Sequence, residues 1–421
     1  MNHFSQLIAI GAMAMLTAHH TAADPIRATL PDPRLDALVA AALANAPDVA
    51  AARAELAASR LRVEPARTLP DPMLTTSYQN DGRAFSLGAA EGSFFGLMLS
   101  QALPWPGKLD LAAKSAASEA AEVEAGPVAR AALGVEARVR TAWYDLLLAR
   151  ALDRLVDERR ETARQIEATT RERYAAGLAA QQDVLRAQTE LSRMEKLKAT
   201  QRATIASRVA ELDRLAGHTP DQTGGDLPPL TEVPAVSDLV AGALQRSPEV
   251  AAARQAMRTN RLRADLAKKN FLPDFVVSGG SMYRGSFAMG PMWQIGAGIS
   301  IPLHLDKRQR NALAEAEKRV DEQEARMKIV EREIELRTRE RVAQLESANE
   351  IATLDRQKII PLDQLSYESA LAGYRAGKLP FIALFDAVNA LYADRAAYLT
   401  RLAEAAKWRV AIDEGSPESR P

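Results

Sequence analysis

Two periods of polarity divide the chain. Residues 292–302, "MWQIGAGISIP", alternate strictly, with Trp293, Ile295, Ala297, Ile299 and Ile301 on one side. Gln294, Gly296, Gly298 and Ser300 fall on the other. A period of two is that of a strand with one apolar face and one small or polar face. "PMLTTSYQN" and "PDFVVSGGSMY" read as strands too, and "FFGLMLSQ" is more uniformly apolar. The spacing predicts strands over about 72–81, 94–103, 274–284 and 292–302, paired as two hairpins with Gly-bearing tips. Between and around them the pattern is helical. The runs 108–174 and 306–375 are rich in Ala, Leu, Glu, Lys and Arg, all strong helix formers. In the second, Val320, Met327 and Ile334 stand seven apart with Val330 between them, a coiled-coil seam. Gly126-Pro127 predicts a kink in the first.

The same grammar occurs twice. "LVAAALANAPDVAAARAELAASRLR" (38–62) aligns with "LVAGALQRSPEVAAARQAMRTNRLR" (239–263). "LPDP" (69–72) then matches "LPDF" (272–275), and "RYAAGLAAQQDVLRA" (173–187) matches "GYRAGKLPFIALFDA" (373–387). Ordered landmarks at a nearly constant offset mark an internal duplication. Each half reads as a helix of roughly 30 residues with a Pro near its start, two strands, a long helix, a Gly-containing break and a last helix. At 1.5 Å per residue a run of about 68 residues is roughly 100 Å of helix. The two shorter helices sum to about the same length and can pair antiparallel with it, which suits a tube wall better than a compact globule. The expected organisation is a first repeat over 24–218, a linker over 219–234, a second repeat over 235–410 and a flexible tail over 411–421.

Composition narrows the function. The chain has 421 residues with 54 basic and 54 acidic side chains, so nothing favours a nucleic-acid partner. It has no Cys, which excludes disulfides, thiolate metal sites and a lipid-anchored Cys. The start, with an apolar core from Leu7 to Ala18 and Thr21-Ala22-Ala23 before Asp24, reads as a signal peptide over 1–23, although it lacks Lys and Arg ahead of the core. No stretch has the roughly 20 apolar residues of a spanning helix, so a membrane location requires a β-barrel. Residues 70–110 and 270–305 hold 10 of the 21 aromatics and 11 of the 22 glycines. Strands of about 10 residues with aromatics near their ends fit a transmembrane barrel, with a soluble hairpin domain as the alternative. Four strands cannot close a barrel, which takes at least eight; three copies giving twelve are one solution. Of five His, three lie in the signal segment, and the other two, His218 and His304, are far apart, so no metal site or cofactor is expected. No nucleophile elbow, phosphate loop or zinc-protease helix appears, and no enzyme is expected.

The pieces "LPDPML", "SQALPWPGKLDLA", "RYAAGLAAQQDVLRAQTEL" and "YRAGKLPFIALFDAVNALY" resemble the TolC-like outer-membrane efflux protein family over nearly the whole mature length. "ALPWPGK" is most similar to the CzcC-like heavy-metal branch. The resemblance implies an internally duplicated, mainly α chain with four membrane strands. It implies a homotrimer that closes a β-barrel in the outer membrane of a Gram-negative bacterium and an α-barrel in the periplasm. The implied partners are a periplasmic adaptor (membrane fusion protein), an inner-membrane pump of the resistance–nodulation–division class and outer-membrane lipid. The role implied is an exit duct without catalysis, with heavy-metal cations as one cargo class. Tyr174, Gly177, Leu178 and Asp183, and Tyr374, Gly377, Lys378 and Leu379, are then hairpin-tip residues that meet the adaptor. Asp386 occupies one of two acidic entrance positions of the family; Ala383 stands at the other, a departure from the pattern. Tyr78, Phe94, Phe95, Trp105, Phe275, Tyr283, Phe287 and Trp293 are the expected membrane-interface aromatics. A periplasmic coiled-coil adaptor or scaffold without a barrel is the competing reading, and lipid exposure of residues 70–105 and 272–303 separates the two.

Overall fold

The computed structural model describes residues 32–80, 93–217, 225–284 and 290–415. The expected signal peptide and residues 24–31, residues 81–92 and 285–289 of the hairpin tips including Phe287, His218 with residues 219–224 of the linker, and residues 416–421 lie outside the described residues. The chain divides into two compact units, one of residues 47–131 and 244–333, the other of residues up to 46, 132–243 and 334 onward. Neither unit follows a sequence repeat; each takes segments from both halves.

The first unit carries the strands β1 (Met73–Gln79), β2 (Phe94–Leu103), β3 (Asp274–Arg284) and β4 (Met292–Ser300). They form one antiparallel sheet in the order β1-β2-β3-β4. β4 stops at Ser300, two residues short of the expected end, and Ile301 and Pro302 are irregular, since Pro has no N–H for a ladder. Beside the sheet the chain forms α2 (Pro47–Leu61), α3 (Val63–Arg67), α4 (Lys108–Val123) and α8 (Pro248–Lys269). α4 buries Ala113, Ala116 and Ala120, and α8 buries Ala253, Ala256 and Ala264; these small side chains let the two helices pack closely. Thr259 Oγ1 donates to Ser118 Oγ across that contact at 2.9 Å.

The second unit holds α1 (Pro33–Asn45), α5 (Ala129–Ala175, from residue 132), α6 (Gln181–Ala216), α7 (Val236–Arg246), α9 (Arg310–Leu354, from residue 334), α10 (Ile360–Arg375) and α11 (Phe381–Glu414). Trp143 of α5 is 1% exposed, with the Arg34 guanidinium 5.6 Å from its ring centroid. One core gathers Leu155, Ile166, Tyr374, Phe381, Leu384 and Leu391; a second gathers Leu239, Val342, Leu345 and Ile412.

The helix expected before each strand pair opens at Pro47 and Pro248 as the sequence indicates, but α2 and α8 run 15 and 22 residues rather than roughly 30, and a separate helix, α1 or α7, precedes each. Ser247 caps α8 by accepting from the Glu249 and Val250 amides. The interruption at Gly126-Pro127 is a π turn over Glu124–Val128. Two further π turns, Leu305–Gln309 at the start of the later run and Asp355–Ile359 just before Pro361, were not revealed by the periodicity. The expected tail from 411 is helix up to Glu414 with Ala411 and Ile412 buried, and Gly415 ends it at φ 64°.

Candidate functional site

Two features lend themselves to function, one in each unit. The first is the sheet. Tyr78 pairs with Phe95 and Phe95 with Tyr283, so all three point to one face. The same register places Leu74, Leu97, Leu99, Phe275, Val277, Trp293, Ile295 and Ile299 on that face. These eleven side chains are 37% to 77% exposed. The other face is mainly small or polar, with Thr75, Ser77, Gly96, Ser100, Ser278, Gly280, Gln294, Gly296 and Gly298, interspersed with Met73, Phe94, Met98, Val276, Met282 and Met292. A contiguous apolar face of this kind is not left in water by a soluble protein. Strands of 9 to 11 residues in β2, β3 and β4 match a tilted bilayer-spanning strand. The outer edges of β1 and β4 have no strand partner among the described residues, an arrangement that invites further pairing.

The expected interface aromatics separate in this register. Tyr78, Phe95 and Tyr283 form a row across three strands, and Trp293, opposite Ser281, stands one step away on the same face. Phe94 points to the opposite face, since successive side chains alternate. Trp105 lies outside the strands and stacks on Phe275 with ring centroids 5.6 Å apart. Its backbone N–H donates to Asp274 Oδ1 at 2.8 Å, and Lys108 Nζ donates to the same oxygen at 2.8 Å and to the Leu272 carbonyl at 3.0 Å. This buried lysine ties the start of α4 to the start of β3.

The second feature is the pair of reversals that join α5 to α6 and α10 to α11. At the first, Gly177 N–H donates to the Tyr174 carbonyl and Leu178 N–H to the Arg173 carbonyl. At the second, Gly377 N–H donates to the Tyr374 carbonyl and Lys378 N–H to the Gly373 carbonyl. Both are Schellman ends, and Gly177 (φ 71°) and Gly377 (φ 70°) supply the left-handed residue that each requires. Arg173 brings the two together. Its Nη1 donates to the Arg375 carbonyl at 2.7 Å, its Nη2 to the Leu178 carbonyl at 3.0 Å, and its guanidinium stands 4.9 Å from the Tyr374 ring centroid.

The two tips differ in exposure. Tyr174 is 46% exposed and Leu178 65%, whereas Tyr374 is 3% exposed, meets Phe381 edge-on and donates its O–H to Thr170 Oγ1 at 3.3 Å. Leu185, Leu379 and Ile382 add to the exposed apolar surface, and Lys378 is exposed. Asp183 is half-buried in the first turn of α6. Asp386 is exposed on α11, one turn beyond the half-buried Ala383, and makes no ion pair among the described residues.

Above the tips, polar ties link α5, α6 and α11. Arg159 Nη2 donates to Glu190 Oε1 at 2.6 Å and to Asn389 Oδ1 at 2.7 Å; the Thr162 and Tyr392 hydroxyls share a 2.8 Å bond. Lys198, 8% exposed, reaches Asp153 at 2.8 Å and Asp157 at 2.6 Å. The hydrogen bond from Lys198 holds the Asp157 carboxyl below the usual carboxylate range. Burial opposes the charge of Lys198, but its bonds to the two aspartates leave it above the usual lysine range. Arg173, Lys198 and Arg159 were not among the residues expected from the sequence. Arg173 carried one signal, the mismatch with Gly373 at the aligned position of the second half. Among the described residues no three His, Asp or Glu side chains gather as a metal-ion site, and no single helix is long and apolar enough to cross a membrane.

The family model described as outer membrane efflux protein matches residues 38–218 and 239–414, two stretches that begin at the offset of the sequence repeat. The cobalt-zinc-cadmium resistance protein CzcC of Cupriavidus metallidurans is 25% identical over 385 residues, covering 90% of this chain and 88% of that one. Among solved structures, the outer membrane protein VceC of Vibrio cholerae superposes with a TM-score of 0.73 at 20% identity, over 91% of this chain and 95% of that one. The outer-membrane channel OprN gives 0.71 at 21% identity, over 91% and 90%.

Proposed function

The chain belongs to the outer membrane efflux protein family, and from that premise we propose that copies of it close one conduit that serves as the exit duct of a tripartite pump. It is an outer-membrane efflux channel, and its family is one of transport channels rather than of enzymes. The observation that supports the duct most directly is the sheet, with one apolar face, one small and polar face and two open edges. In a bilayer an open edge is untenable, because each unpaired backbone group costs several kcal/mol. Four strands fall short of the minimum of about eight, so β1 of one copy pairs with β4 of the next; three copies give a barrel of about twelve strands. The apolar face meets lipid and the small, polar face lines the pore.

The paired tips form the entrance. Their exposed Tyr174, Leu178, Leu379 and Ile382 offer an apolar surface to a periplasmic adaptor, with Gly177 and Gly377 setting the reversals. Asp386, unpaired and exposed, faces its symmetry mates at the entrance, where converging carboxylates attract cations. CzcC is named for cobalt, zinc and cadmium resistance, and divalent metal cations are the cargo class we assign here. The pump is an inner-membrane transporter of the resistance–nodulation–division class. The duct itself performs no catalysis.

The test is to express the full chain in a Gram-negative host, isolate outer membranes and measure the native mass of the detergent-extracted protein. An outer-membrane trimer supports the duct. A periplasmic monomer or dimer that extracts without detergent rejects it and favours the scaffold reading.

A further inference from the structure

The two strand-to-helix exits of the first unit are unlike. Aligned on Pro104 and Pro302, Trp105 of the first exit stands where Leu303 stands in the second. The first exit is closed. Trp105 stacks on Phe275, and Lys108 is 8% exposed and paired with Asp274. The second exit is open. Ile301 is 63% exposed, Leu303 83% and Leu305 41%, and Leu303 is the most exposed large apolar side chain among the described residues. The π turn Leu305–Gln309 follows, with Lys307 and Arg308 exposed on it. Asp306 pairs with Arg310 at 2.7 Å, and neither Lys307 nor Arg308 makes an ion pair among the described residues.

The register places this stretch against the apolar face of the sheet. Tyr283 pairs with Phe95 near one end of β3, and Phe275 pairs with Ile299 near the other. The eight steps from Phe275 to Tyr283 span about 26 Å at about 3.3 Å each, or about 20 Å of height at a tilt of about 40°. The apolar band of a membrane barrel is about 25 Å tall, so the sheet alone falls short of it. In sequence the alternation that carries Ile295 and Ile299 runs on through Ile301 and Leu303. These add about 13 Å of extended chain, or about 10 Å of height, so the band ends between Ile301 and Leu303. Lys307 and Arg308 come about 6 to 8 Å later at helical rise, within the headgroup layer of about 5 to 8 Å that flanks the hydrocarbon. A neighbouring copy paired along the β4 edge lies in the plane of the sheet and leaves this face to the bilayer.

We infer that the junction between β4 and α9 is a site for anionic phospholipid, with Ile301 and Leu303 against the acyl chains and Lys307 and Arg308 on the headgroup phosphate. This rests on the reading that the apolar face of the sheet meets lipid. Cations set just beyond an apolar strip match an acidic headgroup above its own chains. An acidic protein surface would match the two cations but not the apolar row, which is continuous with the lipid-facing side chains of β4.

The chain has no Cys, so a single probe reports from one place. A fluorophore is attached at Leu303→Cys and, separately, at Ile295→Cys in mid-strand. The detergent-extracted oligomer is then reconstituted in mixed phosphatidylcholine and phosphatidylglycerol, with one lipid or the other carrying brominated, quenching chains. Both probes should be quenched. At Leu303, phosphatidylglycerol should act as though enriched at least about fivefold over its share of the bilayer, the effect of one cation near a membrane surface. At Ile295 it should show no enrichment. Lys307→Gln with Arg308→Gln should bring the Leu303 value down to that of Ile295. Salt at about 1 M should do the same without any change at Lys307 or Arg308, an independent measurement should the double variant fail to assemble. Equal quenching by the two lipids at Leu303 overturns the headgroup site, as does an enrichment that survives both the double variant and salt. Quenching at Ile295 with none at Leu303 puts the junction clear of the bilayer, which overturns the site and leaves the duct standing. No quenching at either position overturns both the site and the lipid-facing sheet on which it rests.

Discussion

Arg173→Ala removes two hydrogen bonds from a guanidinium to backbone carbonyls, at 2.7 and 3.0 Å, and a cation–π contact at 4.9 Å. Bonds from a charged donor contribute about 1.5 to 3 kcal/mol when sheltered, but these are partly solvated, so about 1 kcal/mol each is the fitting scale. The ring contact adds about 0.5 to 1 kcal/mol at such a site. The local loss is therefore about 2 to 3 kcal/mol. Global stability should hardly move, because the cores of Leu155, Ile166 and Leu384 and of Val342 and Leu345 are untouched. The loss should instead appear as local opening of the tips. Amide exchange in the segments 172–180 and 372–382 should quicken roughly 30- to 150-fold, at tenfold per 1.4 kcal/mol. Arg173→Lys should recover only part of the protection, since an ammonium cannot span both carbonyls as the planar fork does. The assay is hydrogen exchange on the detergent-extracted oligomer. Unchanged exchange at both tips in Arg173→Ala would refute the view that Arg173 ties them together.

In planar bilayers, Asp386→Ala should raise single-channel conductance or weaken block by divalent cations; unchanged conductance and block together would remove Asp386 from the entrance. Lys198→Met should lower the denaturant midpoint, and the sign of its pH dependence is fixed. Asp157 is depressed when folded, so its contribution is present above about pH 4 and is lost as pH falls through its lowered value. Lys198 is raised, so its contribution is present below about pH 10 and is lost as pH rises through its raised value. The difference between wild type and variant should be constant from about pH 5 to 9 and shrink beyond either end. A difference that grows in acid would contradict the pairing. Trp143→Ala, at a side chain 1% exposed, should cost about 3 to 5 kcal/mol in reversible unfolding, and Trp143→Phe clearly less.

Legibility in the sequence followed the physics of each level. The strands were readable because a period of two is incompatible with a helix, and in β4 the alternation of "WQIGAGISIP" puts Trp293, Ile295 and Ile299 together on one face of the sheet. The reversals were readable because only glycine adopts φ near 70° without steric cost. Tertiary pairing was not readable. That Arg173 bonds to a carbonyl 202 residues away depends on how two hairpins lie together, and no local pattern encodes that. The π turn before Pro361 had a signal in that proline, but the helix-forming residues on both sides outweighed it in a reading by periodicity. Phe94 was grouped with Phe95 by residue type, yet adjacency in a strand forces the two apart.

The duplication explains both the likeness of the tips and their difference. Gly177 and Gly377 kept the same left-handed turn, because no side chain can replace that conformation cheaply. Around them the halves diverged. Position 381 is Phe where the first half has Gln181, and Phe381 gives Tyr374 an aromatic partner at 5.8 Å that Tyr174 lacks. Position 373 is Gly where the first half has Arg173, so the arginine of the first half reaches over Tyr374 of the second. Tyr374 is thus covered by Phe381 of its own half and by the Arg173 guanidinium of the other. Position 386 is Asp where the first half has Arg186, so opposite charges occupy equivalent places one turn past the cap. In the ring we propose, Asp386 faces inward, and Arg186 at the equivalent position of the other half gives that ring a charge asymmetry that identical halves would lack.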